Sequence, residues 1–393
     1  MTEQAKVPAI RFAGFTDPWE QRKASEVFQI VDDRGHPTLP VLSATQNQGM
    51  IYRDDSGRYI GHDESNEIGY KRVLPGDFVV HLRSFQGGFA HSQYEGITSP
   101  AYTVFRAKEP TSHSDRFWKH WFMSEHFIAG LSTVTYGIRD GRSISVDEFM
   151  NTFLAFPAVE EQAAISRLFD YLDDLITLHQ RKYDKLVILK KSMLEKMFPK
   201  DGESVPEIRF AGFTDPWEQR KLEDIANRVT RKNEGESDLP LTISSQYGLV
   251  DQRTFFNNQV ASKDMSGYYL LRKGEFAYNK STSGDSPWGA VKRLVRYEKG
   301  CVSTLYICFG LDGADPDFLV TYYETDRWYK AVQMIAAEGA RNHGLLNIAP
   351  NDFFDTALIL PPSREEQELI GLFFARLDNL ITLHQRKRLW FAK

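Results

Sequence analysis

The chain has few cysteines and no long apolar segment, and both features limit what it can be. Of its 393 residues two are cysteine, Cys301 and Cys308, in the run GCVSTLYICF. We predict that run to be one strand, in which residues seven apart point to opposite faces, so we expect two buried thiols rather than a disulfide. No apolar run reaches the roughly 18–20 residues of a membrane span, and MTEQAKVPAI lacks a signal peptide's hydrophobic core. We therefore expect a cytoplasmic location and no membrane contact.

An excess of basic charge is also missing. The net charge is -5, which argues against a chain coated in basic surface, so any nucleic-acid binding must use local patches or be shared with a partner. Hydrophobic residues make up 41% and aromatic residues 13% of the chain. A chain of this length and composition can bury the cores of two or three domains.

Several catalytic signatures are absent from the sequence. It contains no GxxxxGK[ST] phosphate loop, no HExxH zinc helix and no CxxC pair. The Asn/Asp-Pro-Pro-Tyr/Phe motif of adenine methyltransferases is absent as well, and Asp17-Pro18-Trp19 is only superficially similar to it. His113, His120 and His126 share one predicted helix, but spacings of seven and six do not form a convincing ligand set. We predict a non-catalytic chain without a metal site.

Two exact internal repeats are the strongest signal that the sequence contains. Ile10–Lys23 (IRFAGFTDPWEQRK) returns as Ile208–Lys221, and Leu175–Lys182 (LITLHQRK) returns as Leu380–Lys387. Between these anchors the two halves have diverged widely. The chain is therefore a tandem duplication, and each half consists of an entry segment, a variable body and a long helix.

The two long helices are predicted from the spacing of their apolar residues. In Glu160–Phe198 these recur at intervals of three and four without Pro or Gly, which predicts an amphipathic helix roughly 55–60 Å long. Its repeat begins at Glu365, so we expect the two helices to pair along their apolar stripes. The alternative is that each packs on its own domain. The residues predicted to pair are Ile165, Phe169, Leu172, Ile176 and His179 in the first helix and Ile370, Phe374, Leu377, Ile381 and His384 in the second.

Each variable body has the pattern of short strands and one main helix. Runs rich in β-branched and aromatic residues are bounded by Gly and Pro, which favours strands. In the first body we predict strands at 78–83, 101–108 and 152–156 and a helix at 114–131. In the second we predict strands at 275–280, 292–297, 301–309 and 356–360 and a helix at 317–337. Ser363 and Glu366 predict a capping box before the second long helix.

Two similar domains joined by helices of fixed length suit a target with two separated elements, and DNA is such a target. Arg, Asn and Gln read base edges, whereas Lys, Ser and Thr mostly hold phosphates, and neighbouring glycines let the backbone approach closely. The alternative for each candidate is an ordinary solvated loop residue. The candidates are His81, Arg83, Ser84, Gln86, Arg139 and Arg142 in the first body and Asn279, Lys280, Ser281, Thr282, Ser283, Lys292, Arg293, Arg341, Asn342 and His343 in the second.

The second half of the first long helix is basic. Between His179 and Lys200, lysine and arginine exceed aspartate and glutamate by five. Such a run is usually a solvated face, and a face toward phosphate or a partner is an equally good interpretation.

These features together resemble one known family, the specificity subunits of type I restriction-modification enzymes. The resemblance rests on the duplicated entry with Trp19 and Trp217, the two divergent bodies, and two long helices that each open with Pro and Glu-Glu-Gln and lead to LITLHQRK. It implies an α+β fold with two similar α/β target recognition domains, separated by two long antiparallel coiled-coil-like helices in an internal pseudo-twofold repeat.

The resemblance also implies how the chain is divided. The first target recognition domain with its entry segment occupies 1–158, and the central helix occupies 159–199. A linker at 200–206 leads to the second entry segment and recognition domain at 207–363. The C-terminal helix occupies 364–393. By the offset of the repeats, the counterpart of Phe198 would lie about ten residues beyond Lys393, so we expect a shortened second helix, either from a truncated or rearranged gene or with a weaker closing contact.

The function implied by the resemblance is non-catalytic recognition of double-stranded DNA. Each recognition domain reads one half of a bipartite site, while the helices set the spacer and dock two methyltransferase (modification) subunits. Motor-nuclease (restriction) subunits complete the complex. S-adenosylmethionine, ATP and magnesium are expected on these partners and not on this chain. Two alternatives remain open, a self-contained restriction or modification enzyme and a structural scaffold with two protein-binding modules.

Overall fold

The computed structural model divides the chain into two units. Unit 1 comprises Met1–Leu175 and unit 2 comprises Ile176–Lys393, so the boundary falls within the first long helix. The residues that the structure describes are 8–45, 48–57, 64–80, 89–131, 145–244, 247–256, 262, 264–284, 286–336 and 344–391.

Unit 1 is built on a four-stranded antiparallel sheet. Its described strands are β1 (Glu20–Lys23), β2 (Phe28–Val31), β3 (Leu42–Thr45), β4 (Gly49–Tyr52), β5 (Lys71–Val73), β6 (Phe78–Val80), β7 (Ala90–His91), β8 (Gly96–Thr98), β9 (Thr103–Ala107) and β10 (Phe153–Phe156). The large sheet has the order β2-β9-β6-β7, and β1 pairs with β10, β3 with β4 and β5 with β8. Aromatic rings fill its core: Phe28 lies edge-on to Phe105, with ring centroids 5.3 Å apart.

Unit 2 repeats this arrangement strand for strand. Its described strands are β11 (Glu218–Lys221), β12 (Ala226–Val229), β13 (Leu241–Ser244), β14 (Gly248–Asp251), β15 (Tyr269–Arg272), β16 (Phe276–Asn279), β17 (Ala290–Arg293), β18 (Lys299–Val302), β19 (Ile307–Leu311) and β20 (Ala357–Leu360). The large sheet has the order β12-β19-β16-β17, and β11 pairs with β20, β13 with β14 and β15 with β18. The bodies share one fold although their sequences have diverged, which confirms the predicted duplication and the α+β class.

Both long helices are present, close to their predicted bounds. The helices of unit 1 are α1 (Ala24–Val27), α2 (Asp115–Met123), α3 (Glu125–Leu131), α4 (Val146–Met150) and the start of α5 (Val159–Lys196). Those of unit 2, after the end of α5, are α6 (Gln252–Phe256), α7 (Pro316–Tyr322), α8 (Tyr329–Ile335), α9 (Pro350–Phe354) and α10 (Arg364–Phe391). Short 3-10 helices lie at Arg53–Ser56, Glu64–Gly69 and Leu222–Asp224.

The single helix predicted in each body is wrong, because each is split in two. Ser124 separates α2 from α3 and has an extended backbone (φ -69, ψ 140). Its hydroxyl donates to the carbonyl of Trp121 at 2.7 Å. In unit 2, Thr325 follows α7 and its hydroxyl donates to the carbonyl of Tyr322 at 2.6 Å. In both places a Ser or Thr side chain satisfies a helix-end carbonyl and so competes with continuation of the helix.

The predicted strand 301–309 is also wrong. A turn in which Tyr306 N–H donates to the Ser303 carbonyl at 3.1 Å separates β18 from β19, and the two strands belong to different sheets. Cys301 and Cys308 are nevertheless buried and free, as predicted. Burial raises the pKa of Cys301 to about 11 and that of Cys308 to about 12, so both remain protonated thiols at neutral pH.

The two repeated segments of each half contact each other. In unit 1, Arg11 donates from Nε and Nη2 to the carboxylate of Glu161, both at 2.7 Å. In unit 2, Arg209 holds Glu366 in the same way, at 2.6 and 2.8 Å. Both carboxylates are only 1% exposed. A bidentate, buried guanidinium–carboxylate pair thus joins each entry segment to the first turn of its long helix.

This pairing corrects the predicted capping box. Glu366 N–H does donate to Ser363 Oγ, at 3.4 Å, but the carboxylate of Glu366 is directed to Arg209 instead of returning to the backbone at Ser363. The indole N–H of Trp217 lies 3.4 Å from the same carboxylate. The guanidinium supplies two charge-assisted hydrogen bonds to this carboxylate, at 2.6 and 2.8 Å, where the backbone N–H of a capping box would supply one.

The neighbouring glutamines join the long helices to the bodies. Gln162 Oε1 accepts from the backbone N–H of Ser114, the N-cap of α2, at 2.9 Å. Gln367 Oε1 accepts from the N–H of Asp315, the N-cap of α7, at 2.9 Å. Each amide also donates to the carbonyl of the proline that precedes its helix, at 2.8 Å. In both units, the repeated Glu-Glu-Gln therefore joins the long helix to the entry segment and to the body.

The first half of α10 is packed tightly on α7. A Cβ at Gly371 would lie 2.6 Å from Phe318 N and 2.7 Å from Asp317 Cβ, so only glycine fits here. Ile370, Phe374 and Leu377 join the core of unit 2 beside this contact.

Candidate nucleic-acid interface and helix pair

The structure describes seven of the sixteen candidate DNA contacts. The other nine, His81, Arg83, Ser84, Gln86, Arg139, Arg142, Arg341, Asn342 and His343, lie outside the described residues. The seven that are described all belong to unit 2, and they fall into two groups with different surroundings.

The first group, Asn279 to Ser283, follows β16 and is held by a second segment of the body. Thr282 N–H donates to the carbonyl of Gly344 at 2.7 Å, and Leu346 N–H donates to the carbonyl of Lys280 at 3.0 Å. Asn279 Oδ1 accepts from Ser281 N–H at 3.0 Å. Ser281 and Ser283 are exposed. Segment 279–283 therefore presents small polar groups on a backbone that is held by hydrogen bonds to Gly344 and Leu346.

Lys280 is the charged residue of this group. Its ammonium donates to the carbonyl of Ile348 at 3.2 Å, and its side chain is half-buried. No carboxylate pairs with it in the part of the chain that the structure describes, and burial lowers its pKa below the usual lysine value. A partly buried, uncompensated ammonium is stabilised by an anion, and phosphate is a suitable one.

The second group, Lys292 and Arg293, is tied to acids within unit 2. The guanidinium of Arg293 donates to Asp317 in the first turn of α7, and Lys292 Nζ lies 4.0 Å from Glu324 Oε1. Their positive charges are compensated inside the unit in this structure, unlike that of Lys280.

Unit 1 contains the counterpart of the Arg293 contact. His91 is paired with Phe78 across the sheet just as Arg293 is paired with Phe276. Its Nε2 lies 2.7 Å from Asp115 Oδ2, in the first turn of α2, and this bond lowers the pKa of Asp115. Both units thus tie the edge strand of the large sheet to the following helix with different residues, which is why sequence comparison of the bodies did not reveal it.

A cleft of about 650 Å³ opens beside His91 in unit 1. Its charged lining residues are already paired with one another: Arg106 donates to Asp77 at 2.8 Å, and Arg116 donates to Asp170 at 3.0 Å. The pKa of Asp77 is raised by burial. A ligand with charge of one sign would have to break these pairs. The cleft is therefore a less suitable site for DNA phosphate than segment 279–283, which contains Lys280.

His120 lies near two carboxylates, but as part of an ion-pair network. Its Nε2 is 3.0 Å from Asp170 Oδ1, and Asp173 is close enough for the three to form a potential cation site. Lys119 Nζ lies 3.6 Å from Asp170 and 3.4 Å from Asp173. The lysine ammonium and Arg116 supply the positive charge here, and the network holds α2 against the first turns of α5.

The second half of α5 pairs with α10 in antiparallel orientation. His179 Nδ1 lies 2.8 Å from His384 Nδ1. Farther along α5, Lys190 binds Asp378, and just beyond its end Phe198 contacts Phe374, with ring centroids 6.3 Å apart. Contacts advance along α5 as they retreat along α10, and His179 and His384, both among the residues predicted to pair, contact each other directly.

Lys190 reinforces this helix pair. Its ammonium binds Asp378 of α10 at 2.5 Å and Glu324, just after α7, at 2.7 Å. The two carboxylates hold its pKa above the usual lysine value against the opposing effect of burial. Lys190 falls on the predicted apolar stripe of α5, and a lysine on such a stripe is the sequence signal for a buried ion pair.

The other residues predicted to pair are used in several ways. Ile165 packs against the core of unit 1, and Phe169 lies beside the His120 ring, with centroids 5.3 Å apart. Ile370, Phe374 and Leu377 are in the core of unit 2. Leu172, Ile176 and Ile381 are half-buried. The first turns of each long helix thus contact their own body, which is the alternative considered from the sequence.

Several apolar side chains of the helix pair remain exposed. Leu178 and Leu383 occupy equivalent positions of the repeat and are each 44% exposed. The other large exposed apolar residues of this part of unit 2 are Val187, Ile188, Leu189, Leu369, Leu372, Leu380, Leu389 and Trp390. These side chains make up the exposed apolar surface of the two helices, which a partner protein could cover.

The basic run of α5 is largely a solvated face. Arg181, Lys182, Lys185 and Lys191 are exposed, and Lys196 forms an ion pair with Glu207 at 2.7 Å. Lys190 is the exception described above. Among the described residues, no helix is long and apolar enough to cross a membrane.

Comparison with solved structures finds similar structures among type I restriction-modification proteins. The S subunit of a type I restriction-modification system from M. genitalium matches with a TM-score of 0.56 and 10% identity, over 98% of this chain and 95% of that one. The HsdS subunit from Thermoanaerobacter tengcongensis matches with a TM-score of 0.46 and 14% identity, over 95% of this chain and 93% of that one. A chain from a study of the assembly and conformational transition of the type I R-M system matches with a TM-score of 0.46 and 14% identity, over 98% and 95%.

Comparison with family models and with curated proteins finds no match. At 10% identity, the match to the M. genitalium protein is one of fold. It spans nearly the whole of both chains, so the chain has the S-subunit fold from end to end and the resemblance noted in the sequence is confirmed at that level.

Proposed function

We propose that this chain is the DNA specificity subunit of a type I restriction-modification complex and is not itself catalytic. The observation that carries the proposal is the end-to-end S-subunit fold in a chain whose two units repeat the same strand order. Two copies of one fold with divergent bodies suit a bipartite target, of which each recognition domain reads one half.

Segment 279–283, at the end of β16, supports contact with DNA in unit 2. Lys280 offers an ammonium without a carboxylate partner among the described residues. The exposed hydroxyls of Ser281 and Ser283 lie beside it. Lysine and hydroxyl groups position a protein on the phosphate backbone, whereas base reading falls to other side chains of the same loops.

The helices set the spacer and dock two methyltransferase subunits in this proposal. Leu178 and Leu383 occupy equivalent positions of the repeat and are each 44% exposed, which suits two copies of one partner. Restriction subunits that act as motor and nuclease complete the complex. S-adenosylmethionine, ATP and magnesium are assigned to these partners, and their chemistry is adenine methylation, translocation and cleavage.

The function is tested by mapping methylated adenines. The chain is expressed with type I modification subunits in cells that lack adenine methylation. We expect one sequence with two specified parts and a constant number of unspecified bases between them, and no methylation when the chain is omitted. Methylation by the purified chain with a labelled methyl donor would identify a self-contained enzyme, and failure of the assembled complex to protect any sequence would favour a scaffold.

Lys280→Gln is expected to weaken DNA binding without changing the sequence preferred. Loss of one phosphate contact lowers the slope of log affinity against log salt by about 1. The measurement is binding of the assembled complex to its mapped site over a series of salt concentrations. The matched control is Lys273→Gln, since Lys273 is exposed and paired with Glu298 at 2.6 Å. Equal slopes for the wild type and Lys280→Gln would exclude Lys280 as a phosphate contact.

A further inference from the structure

The contact between His179 and His384 has a feature that the proposed function does not use. These residues are the same position of the LITLHQRK repeat, so the two copies of the repeat meet through their own histidine. The Nδ1 atoms are 2.8 Å apart, a normal hydrogen-bond distance. His179 is 8% exposed, and His384 is half-buried.

A hydrogen bond between two Nδ1 atoms contains a single proton. One ring donates its N–H and the other accepts through its lone pair, so at least one imidazole must be neutral. If both rings were protonated, two donors and two positive charges would face each other at this distance. The contact is therefore compatible with the neutral pair or the singly protonated pair, and incompatible with the doubly protonated one.

The surroundings also oppose protonation. Phe391 stacks on His179, with centroids 5.7 Å apart and an interplanar angle of 11°. The charged groups that act on the pair are Lys182 on α5 and Lys387 on α10. Arg388 of α10 is bonded to Gln180, which is also bonded to Asp184 at 2.7 Å. Burial, first, and the two lysines lower the pKa of His179, and burial, His179 and the two lysines lower the pKa of His384.

We propose that His179 and His384 form a one-proton clamp that joins α5 to α10 in unit 2 at neutral pH and opens when the pH falls. Among the described residues, no carboxylate acts on the two histidines to favour their charged forms, so acidification weakens the contact between the helices. The proposal concerns unit 2 alone and does not depend on the proposed function.

The direction of the pH effect follows from the lowered pKa values. The unfolded chain binds protons at the ordinary histidine pKa of about 6.5, and the folded pair binds them at a lower pH. Stability from the clamp is fully present above about pH 6.5 and is lost as the pH falls through the pKa of the folded pair.

The test compares the whole chain with H179N/H384N between about pH 8 and about pH 5. Asparagine places an amide atom at the same number of bonds from Cα as Nδ1, so it retains a neutral hydrogen bond but does not titrate. On acidification, we expect the ratio of unfolded to folded unit 2 to rise more in the wild type than in the variant. The excess should be about tenfold for each unit by which the pKa of the folded pair lies below the ordinary histidine pKa. H343N is the control, because His343 is the one other histidine in residues 176–393.

Hydrogen exchange followed by mass spectrometry supplies a local measurement. In the wild type, we expect the amides of residues 377–391 to lose protection on acidification after correction for intrinsic rates, and we expect H179N/H384N to retain it. Should the double variant fail to fold, H384N provides a second comparison, because the asparagine amide can accept from a protonated His179 and so does not lose the contact on acidification. The proposal is overturned if the wild type and the Asn variant lose stability in parallel, or if protection in 377–391 does not depend on pH.

Discussion

Exchange of residues 24–157 for the matching segment of another specificity subunit is expected to change one half of the methylated sequence and leave the other half unchanged. The exchanged segment contains the whole variable body of unit 1. Arg11 and Glu161, which attach the entry segment to α5, both lie outside it. The contact of Gln162 uses the backbone of Ser114, so it does not require a particular side chain in the new body.

The measurement is the mapped methylation site of the hybrid, with modification subunits supplied as for the wild type. The matched control exchanges residues 222–361, the equivalent segment of unit 2 including β20, and should change the opposite half. The spacer should remain constant in both, because neither exchange alters α5 or α10. A hybrid in which both halves change, or neither, would contradict a separate role for each recognition domain.

Glu366→Ala is expected to destabilise unit 2 strongly. It leaves the guanidinium of Arg209 buried without its carboxylate and removes the acceptor near the Trp217 indole N–H. Breaking a buried ion pair by removal of one partner costs about 3–5 kcal/mol. For a unit of this size, that lowers the unfolding midpoint by roughly 6–20 °C. Scanning calorimetry measures the shift.

The neighbouring Glu365→Ala is the matched control. Glu365 occupies the same first turn of α10 but is exposed, so its loss should cost less than about 1 kcal/mol. Glu161→Ala in unit 1 should act like Glu366→Ala, since Glu161 is equally buried and paired with Arg11. If the Glu365 and Glu366 variants unfold at the same temperature, the guanidinium pair does not hold α10 to the entry segment.

The long helices could be predicted because their signals are local. Apolar spacing and the absence of proline extend over many turns, and the structure begins α5 and α10 within one residue of the predicted starts. The short elements were predicted less well. The strand expected at 301–309 contains a turn, and the helices expected at 114–131 and 317–337 are broken by side-chain bonds of Ser124 and Thr325. One hydroxyl decides each break, and periodicity does not detect it.

For the candidate DNA contacts too, the sequence identified residues but not their partners in the fold. Residue type and neighbouring glycines selected both Lys280 and Arg293 as candidates. In the folded chain, Arg293 reaches Asp317, whereas Lys280 has a backbone carbonyl as its partner. Which cation remains available to an external anion depends on the acids that the fold brings near it, and these lie on other elements.

The amino-acid sequence by itself determined that this chain is a duplication with two long helices, because identical segments adopt the same local structure and their order is written in the chain. Only the tertiary structure decided which side chains meet. Arg209 finds Glu366 across 157 residues, Lys190 finds Asp378 across 188, and His179 finds its own repeat across 205. The physical reason is that pairing of charges and imidazoles depends on distance in space, and packing of the helices on their bodies sets that distance.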